Sequence, residues 1–275
     1  MNKEAIPVLG IPIVNGFRWI DRLIKSIDYP IENVIIMNNG NDPKLEKDLD
    51  ALVEKGSPYV SSMKVVHFPS NMGVPFAWNF IIKSFLMEPY WIISNHDVAF
   101  MPGLLEEMHY SALIEDVHLV HPNEGLFKIG TYDLFLITEK GVQEIGLFDE
   151  NLYPAYGEDS DFIMRSENLN SKKIMNLKNK YLHGNNIVGK EFKNLEEMKK
   201  DYNENGQNTK KEDPSLSKKL ENVNYINYEY LNKKWGDHWR RVEPYRKPFA
   251  IYGYDYPNTY TTWDLGYVRK KYLGF

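Results

Sequence analysis

Short apolar runs alternate with helix-like patterns over roughly the first hundred residues. Runs of this kind that end in turn residues predict buried strands, and we expect them at residues 6–14, 33–37, 63–68 and 90–100. After the first run, Ile20, Leu23 and Ile24 recur three and four positions apart, which predicts a helix with one face on the sheet. The alternation of strand and helix predicts a doubly wound α/β domain, with a mostly parallel central sheet flanked by helices.

The pattern continues to about residue 165. Pro43 suits the first turn of a helix that ends near residue 54. Pro75 opens the next helix, whose apolar positions we expect to face inward: Phe76, Ala77, Phe80, Ile81 and Phe85. Further helices are expected at 104–116, 140–145 and from residue 162, and further strands at 117–121 and 131–138.

Polar clusters follow two of the predicted strands, and a third interrupts the apolar run at 90–100. They are Asn38-Asn39-Gly40, Asn71-Met72-Gly73 and Asn95-His96-Asp97. Open α/β sheets bind ligands at the carboxyl ends of their strands, so these side chains are expected to line one edge. On an extended backbone Asn95 and Asp97 point the same way, and Asp97 is a hard oxygen ligand for a metal. The alternative is that each Asn is a turn residue and that Asp97 caps the following segment.

A second dense stretch places Glu158, Asp159 and Asp161 directly after Gly157, before an apolar helical pattern that begins at Phe162. Carboxylates are favoured at a helix N-terminus by the helix dipole, and Asp161 is the expected cap. Crowded carboxylates also repel one another, which raises a pKa into the range of a general base. We favour the functional reading, because one carboxylate is enough to satisfy a helix end.

Two further features have a structural and a functional interpretation. His183 closes a short apolar segment and is a metal ligand only if the fold brings it to Asp97.

Residues 203–217 are polar and predict a mobile loop. The segment after that loop is rich in aromatic residues, and Trp235 and Trp239 share a face if it is helical. Such rings suit a sugar acceptor, and they suit packing equally well.

Composition excludes several classes of protein. The 275 residues contain no cysteine, which rules out disulfides and thiolate metal sites. The net charge of -5 gives no drive toward nucleic acid. No apolar run approaches the length of about 20 residues that spans a bilayer, and the N-terminus has no signal-peptide pattern, so we expect a cytoplasmic protein. A phosphate-binding Gly-x-x-x-x-Gly-Lys or Gly-x-Gly-x-x-Gly motif is also missing from the sequence.

The order of these motifs resembles the GT-A fold of nucleotide-diphospho-sugar glycosyltransferases, especially inverting family-two-like members that include rhamnosyltransferases. Asn38-Asn39-Gly40 stands where the family has an Asp-Asn-Gly-Ser-like motif, and Asn95-His96-Asp97 stands where it has Asp-x-Asp. Further family features are matched by Asn71-Met72-Gly73, by the stretch from Gly146 to Arg165 and by Trp235-Gly236. The resemblance covers residues 5–185. A stand-alone chain of this size also resembles enzymes encoded by large DNA viruses, which would place it in the host cytoplasm.

The resemblance implies a catalytic domain at 1–185, with a donor half at about 1–100 and an acceptor half at about 101–185, and an extension at 186–275. It implies Asp159 as the base, with Glu158 and Asp161 shaping its environment, and Mn²⁺ or Mg²⁺ at Asp97 and His183. The implied donor is a sugar linked to UDP, GDP or dTDP, and the implied donor-binding residues are Ile13, Asn15, Asn38, Asn39, Asn71, Gly73, Asn79, Asn95, His96 and Asp97. The implied acceptor-binding residues are Tyr156, Trp235 and Trp239. The family has acidic residues where this chain has Asn38 and Asn95. The first departure leaves the nucleobase of the donor undefined, and the second predicts weaker metal dependence. A nucleotidyltransferase of similar architecture and an inactive nucleotide- or sugar-binding module remain as alternatives.

Overall fold

A computed structural model describes residues 4–122, 132–167, 169, 173–177, 180–188, 196–197, 200, 204 and 214–236. The core is a seven-stranded sheet. Its strands along the chain are β1 (Ile6–Ile13), β2 (Ile31–Asn38), β3 (Val60–His67), β4 (Tyr90–Ser94), β6 (Leu119–His121), β7 (Leu134–Thr138) and β8 (Ile174–Asn176). A second, three-stranded sheet is built from β5 (Val98–Phe100), β9 (Tyr181–His183) and β10 (Asn186–Val188).

Strand order in the main sheet is β3-β2-β1-β4-β7-β6-β8. Strands β1 to β4 are mutually parallel, and β7 runs antiparallel to both β4 and β6. The carboxyl ends of β1 to β4 therefore meet at one edge, together with the start of β7. The expected mostly parallel sheet is confirmed, and this edge carries the polar clusters.

Helices cover both faces of the sheet. One face is packed by α1 (Phe17–Lys25), α2 (Pro43–Lys55) and α4 (Leu104–Ala112), and the other by α3 (Val74–Ser84), α5 (Glu139–Ile145) and α6 (Glu158–Glu167). The α3 helix approaches β1 so closely that a Cβ on Gly10 would lie 2.4 Å from Cγ2 of Ile81. Glycine at this position allows the helix to sit directly on the strand.

One local prediction was wrong. The stretch 90–100 is not one strand, because β4 ends at Ser94 and a turn closed by a hydrogen bond from Val98 N to Asn95 O (3.2 Å) leads into β5 of the second sheet. Asn95 and Asp97 therefore do not alternate along an extended backbone.

The apolar positions expected to face inward around α3 do so with one exception. Ala77 and Ile81 are buried, and Phe80 and Phe85 are half-buried and pack against the core. Phe76 is also half-buried and packs edge-on against Phe68.

A long helix, α7 (Pro214–Trp235), packs on α6. The contact is a small cluster of Leu152, Met164, Leu231 and Trp235. The helix begins inside the segment 203–217 that was expected to be a loop, and β10 lies past the predicted domain boundary at 185 but pairs with β9. None of the helices in the described ranges is both long enough and apolar enough to cross a membrane.

Candidate active site

Asp97, in the turn between β4 and β5, is held by α1 and by the end of β9, and is 4% exposed. Its backbone oxygen accepts hydrogen bonds from Nη2 of Arg22 in α1 (2.8 Å) and from the amide of Gly184 after β9 (2.8 Å). One carboxylate oxygen, Oδ1, lies 3.2 Å from Nε2 of His183. The fold thus brings His183 to Asp97, which is the condition that the sequence set for a metal-ligand role.

His183 bridges two carboxylates. Its Nδ1 lies 3.0 Å from Oδ2 of Asp133, which immediately precedes β7. Burial alone would lower the pKa of His183, but the Asp133 and Asp97 carboxylates raise it well above its ordinary value. Burial would likewise raise the pKa of Asp97, yet the charge and hydrogen bond of His183 hold it well below its usual range. In the absence of another cation, the imidazolium supplies the positive charge between the two aspartates.

The Asp97–His183 pair fits a divalent cation. Two ligand atoms that bind one octahedral ion in adjacent positions at about 2.1 Å lie about 3 Å apart, and the two atoms here lie 3.2 Å apart. The His183 side chain is 28% exposed, so a ligand can reach it. No group of three or more His, Cys, Asp or Glu side chains suited to a metal occurs in the described part of the chain. Mg²⁺-type sites often use one or two protein ligands and complete their shell with substrate phosphates and water.

Most of the expected donor-binding asparagines use their side chains internally. Asn38 is 0% exposed, its Oδ1 accepts from the amide of Gly40 (2.9 Å), and its Nδ2 lies 2.9 Å from Nδ1 of His67. Oδ1 of Asn71 accepts from the amide of Gly73 at 2.9 Å. Asn39 ties this second loop to the first through the amide of Met72 (3.3 Å) and the carbonyl of Gly73 (3.4 Å). These contacts match the turn-residue interpretation, in which the three asparagines shape the edge of the sheet. Asn38 has no exposed surface that could contact a nucleobase.

The side-chain amide of Asn79 in α3 is used in hydrogen bonds within the protein. Asn79 is 2% exposed, and its Nδ2 donates to the carbonyl of Phe148 and to Oε1 of Glu150, both at 2.8 Å. Its Oδ1 accepts from the amide of Phe148, also at 2.8 Å. The amide therefore fixes the loop after α5 onto α3.

The end of β1 retains a group suited to a ligand. Oδ1 of Asn15 is buried and finds no hydrogen-bond partner among the residues that the structure describes. Ile13, the last residue of β1, is 2% exposed, and His96 is 6% exposed beside Asp97. Asn95 is partly exposed, and its backbone N–H donates to the carbonyl of Asp133 at 2.7 Å. Of the expected donor residues, Asn15 and Asp97 keep the polar groups best suited to a bound molecule.

The acidic cluster lies in the first turn of α6, which begins at Glu158, four residues before the expected start. Glu158 is 7% exposed, and its Oε2 has no hydrogen-bond partner within the described ranges. Burial, and next the charge of Asp159, raises the pKa of Glu158 to about 8. The pKa of Glu158 is raised as the sequence predicts, but burial is a larger cause than crowding by Asp159. Asp159 is partly exposed, and its Oδ1 accepts from the amide of Ser160 at 2.6 Å.

Asp161 does not cap the helix, and that prediction was wrong. It lies inside the first turn and is 0% exposed. Its Oδ2 accepts from Nε of Arg165 (3.0 Å), and its Oδ1 accepts from Nε1 of Trp235 (2.9 Å) and pairs with Nζ of Lys234 (2.5 Å). Asp161 therefore anchors α7 to α6, and Trp235, at 2% exposed, is a packing anchor with no face left for an acceptor. Trp239 lies outside the described residues.

The sequence reasoning missed the residues that organise this cluster. Lys234 also pairs with Oδ2 of Asp149 (2.8 Å), which accepts a second hydrogen bond from the hydroxyl of Tyr230 (2.7 Å). Asp149, Asp161, Lys234 and Arg165 form a buried group with two charges of each sign. The signal was present in Lys234-Trp235-Gly236: the lysine and tryptophan reach the aspartates, and Gly236, at φ 90°, ends the helix.

The loop before α6 joins the acidic cluster to the sheet edge. The amide of Val74 donates to the carbonyl of Pro154 (2.7 Å), and the hydroxyl of Tyr153 donates to the carbonyl of Asn71 (3.0 Å). Tyr156 has φ 74°, and its carbonyl accepts from Nδ2 of Asn227 in α7 (2.9 Å). Tyr132, next to Asp133, lies with its ring 5.9 Å from Phe162, and its pKa is raised mainly by burial and secondly by Asp159. The Asp97–His183 pair and the acidic turn thus occupy neighbouring parts of one edge.

Known proteins resemble this chain in sequence and in fold. No family model matches the chain. A curated relative, a galactofuranosyl glycosyltransferase of Leishmania donovani, is 24% identical over 253 residues, with 67% of this chain and 58% of the relative covered. The chain thus spans less than two thirds of that relative's length.

Two solved structures share the fold. One is a mannosyltransferase from Pyrobaculum calidifontis in complex with GDP-Man and Mn²⁺ (TM-score 0.53, 13% identity, 64% of this chain and 55% of that one). The other is GalNAc-T7 with UDP, GalNAc and Mn²⁺ (TM-score 0.51, 12% identity, 64% of this chain and 43% of that one). The chain therefore has the GT-A glycosyltransferase fold, as the motifs implied.

Proposed function

We propose that this chain is a glycosyltransferase that moves a single hexose or deoxyhexose from a nucleotide-diphosphate sugar to an acceptor hydroxyl, with inversion and with the help of a divalent cation. The observation that carries the proposal is the chain of contacts between the Asp97–His183 pair and α6, in which His183 contacts Asp133 and the adjacent Tyr132 contacts Phe162, near the acidic turn. The similar proteins support it: one is a galactofuranosyl glycosyltransferase, one is a mannosyltransferase, and two were solved with a nucleotide or nucleotide sugar and Mn²⁺.

Asp97 and His183 would hold Mn²⁺ or Mg²⁺ through one oxygen and one nitrogen. A cation held there would neutralise the charge that develops on the departing nucleotide diphosphate. Arg22 lies beside this position and fixes the backbone of Asp97, so it adds a second positive charge near the diphosphate. Oδ1 of Asn15, at the end of β1, is then free to accept a hydrogen bond from the nucleoside.

Asp159 is the proposed general base. In an inverting displacement the acceptor hydroxyl attacks the anomeric carbon from the side opposite the diphosphate, and it loses its proton as the new bond forms. Asp159 is partly exposed and can reach an acceptor, whereas Asp161 is fully buried and paired with Lys234 and Arg165. Glu158 is buried beside Asp159, and at neutral pH its raised pKa keeps it protonated. A protonated Glu158 places no second negative charge beside Asp159, which takes the proton of the acceptor hydroxyl.

The test uses Asp159→Asn, which preserves the shape of the side chain and removes its basicity. We expect turnover to fall by about a hundred- to ten-thousand-fold, with little change in donor affinity. Donors are first chosen from UDP-, GDP- and dTDP-linked sugars by the rise in melting temperature with and without Mn²⁺. Glu167→Gln, an exposed carboxylate at the far end of the same helix, is the matched control and should keep wild-type turnover. Near-normal turnover in Asp159→Asn would exclude Asp159 as the base.

A further inference from the structure

The two nitrogens of His183 face different carboxylates. Nε2 lies 3.2 Å from Oδ1 of Asp97, and Nδ1 lies 3.0 Å from Oδ2 of Asp133. An imidazole nitrogen can bind a cation only when it carries no proton, and the neutral ring then keeps its proton on the other nitrogen. The partner of Nδ1 therefore decides whether Nε2 is available.

The main sheet fixes Asp133 at this ring. Leu134, the first residue of β7, pairs with Ser94, the last residue of β4. One position earlier, the carbonyl of Asp133 accepts the amide hydrogen of Asn95 at 2.7 Å. The strand pair that ends in the turn of Asp97 thus also places Asp133, which is 9% exposed. Because both aspartates are tied to the same pair of strands, their spacing around His183 is fixed by the backbone.

We propose that Asp133 is a positioning residue of the cation site: it accepts the Nδ1 proton of His183 and so presents the bare Nε2 to a cation shared with Asp97. Carboxylates that orient a metal-binding histidine in this way set both its tautomer and the direction of its ring. The cation is the one invoked in the proposed function, on which this inference rests. Asp133 contacts the other nitrogen of the ring, so it acts on the cation through His183.

The experiment measures Mn²⁺ binding to the full chain by titration calorimetry and by the loss of the free Mn²⁺ signal in electron paramagnetic resonance, with and without UDP or GDP. Asp133→Ala removes the acceptor for the Nδ1 proton, and we expect Mn²⁺ affinity to fall about 10- to 100-fold. Asp133→Asn keeps an oxygen that can accept this proton but loses the charge, and it should retain more affinity than Asp133→Ala. Nucleotide affinity without Mn²⁺ should be unchanged in both.

Asp116→Asn provides the matched control. Its carboxylate pairs with Lys140 near the opposite edge of the sheet, so removing its charge should leave Mn²⁺ affinity at the wild-type value. Equal Mn²⁺ affinity in wild type and Asp133→Ala would overturn the inference and leave the proposed function standing. Failure of the wild-type chain to bind Mn²⁺ with any nucleotide would overturn the cation site itself, and this inference with it.

A second measurement does not depend on the folding of any variant. Long-range ¹⁵N spectra of the imidazole in the wild-type chain, recorded with UDP or GDP and with Cd²⁺ as a diamagnetic substitute, report the state of each ring nitrogen. The proposal expects a protonated Nδ1 and a cation-bound Nε2 for His183. The opposite tautomer, or a cation on Nδ1, would overturn it.

Discussion

Replacing Glu158 with Gln should make the protein more stable at alkaline pH. The wild-type carboxyl is 7% exposed, and its pKa is raised to about 8 from an ordinary value of 4.5, first by burial and then by Asp159. The folded protein therefore holds a proton that the unfolded chain releases between these two values. Because the folded state binds more protons in this window, its stability is greatest at acid pH and falls as the pH rises. Gln resembles the protonated acid and does not titrate.

The size of the effect follows from the width of the window. Each unit of pH between the two pKa values changes the free energy of unfolding by up to about 1.4 kcal/mol. Over about pH 5 to about pH 8 the wild-type protein should lose up to about 4 kcal/mol that Glu158→Gln retains. The two proteins should have similar stability at about pH 5 and should diverge progressively above it.

Urea unfolding, followed by tryptophan fluorescence at several pH values, measures this difference directly. Subtracting the wild-type profile from that of Glu158→Gln removes the contribution of groups that titrate alike in both. Glu167→Gln, on the exposed end of α6, should give a profile parallel to that of the wild type. A constant difference between wild type and Glu158→Gln across the pH range would refute the reasoning, because it would mean that Glu158 titrates alike in the folded and unfolded chains.

Two further substitutions test the packing that supports the site. Lys234→Met leaves Asp149 and Asp161 charged and buried, so we expect urea or thermal unfolding to show a free energy of unfolding lower by about 3–5 kcal/mol. Lys233→Met, at an exposed position, should change it by less than about 0.5 kcal/mol. A similar effect of both variants would contradict the buried network. Asn79→Ala removes three hydrogen bonds at 2.8 Å and leaves the amide and carbonyl of Phe148 without this partner. The free energy of unfolding of Asn79→Ala should fall by about 2–4 kcal/mol. Asn41→Ala, at an exposed position, is the control. Equal stability of the two variants would exclude a stabilising role of the Asn79 hydrogen bonds.

The sequence by itself determined the architecture and the sheet edge at which polar residues collect. Strand and helix periodicity is a local property, so β1 to β3, the start of β4 and their helices could be located within a few residues of their observed bounds. Parallel strands share a carboxyl edge, and this placed Asp97 at the site before any contact was known. Local pattern was least reliable at chain reversals. The turn after Ser94 forms hydrogen bonds to Asp133 and Gly184, and the loop before α6 accepts one from Asn227.

Only the tertiary structure decided which polar side chains are available for chemistry. Asn38 and Asn79 match family motifs, yet their amides are fully used by His67, Gly40, Phe148 and Glu150. His183 reaches Asp133 because β9 pairs with β5, which follows β4, and β7 begins beside the end of β4. Lys234 meets Asp161 because α7 docks on α6. These partners lie tens of residues apart in the sequence, and a buried charge or amide takes its role from the group that satisfies it. A linear pattern records the residue types, whereas the pairing that separates a ligand from a structural anchor arises only when the chain is folded.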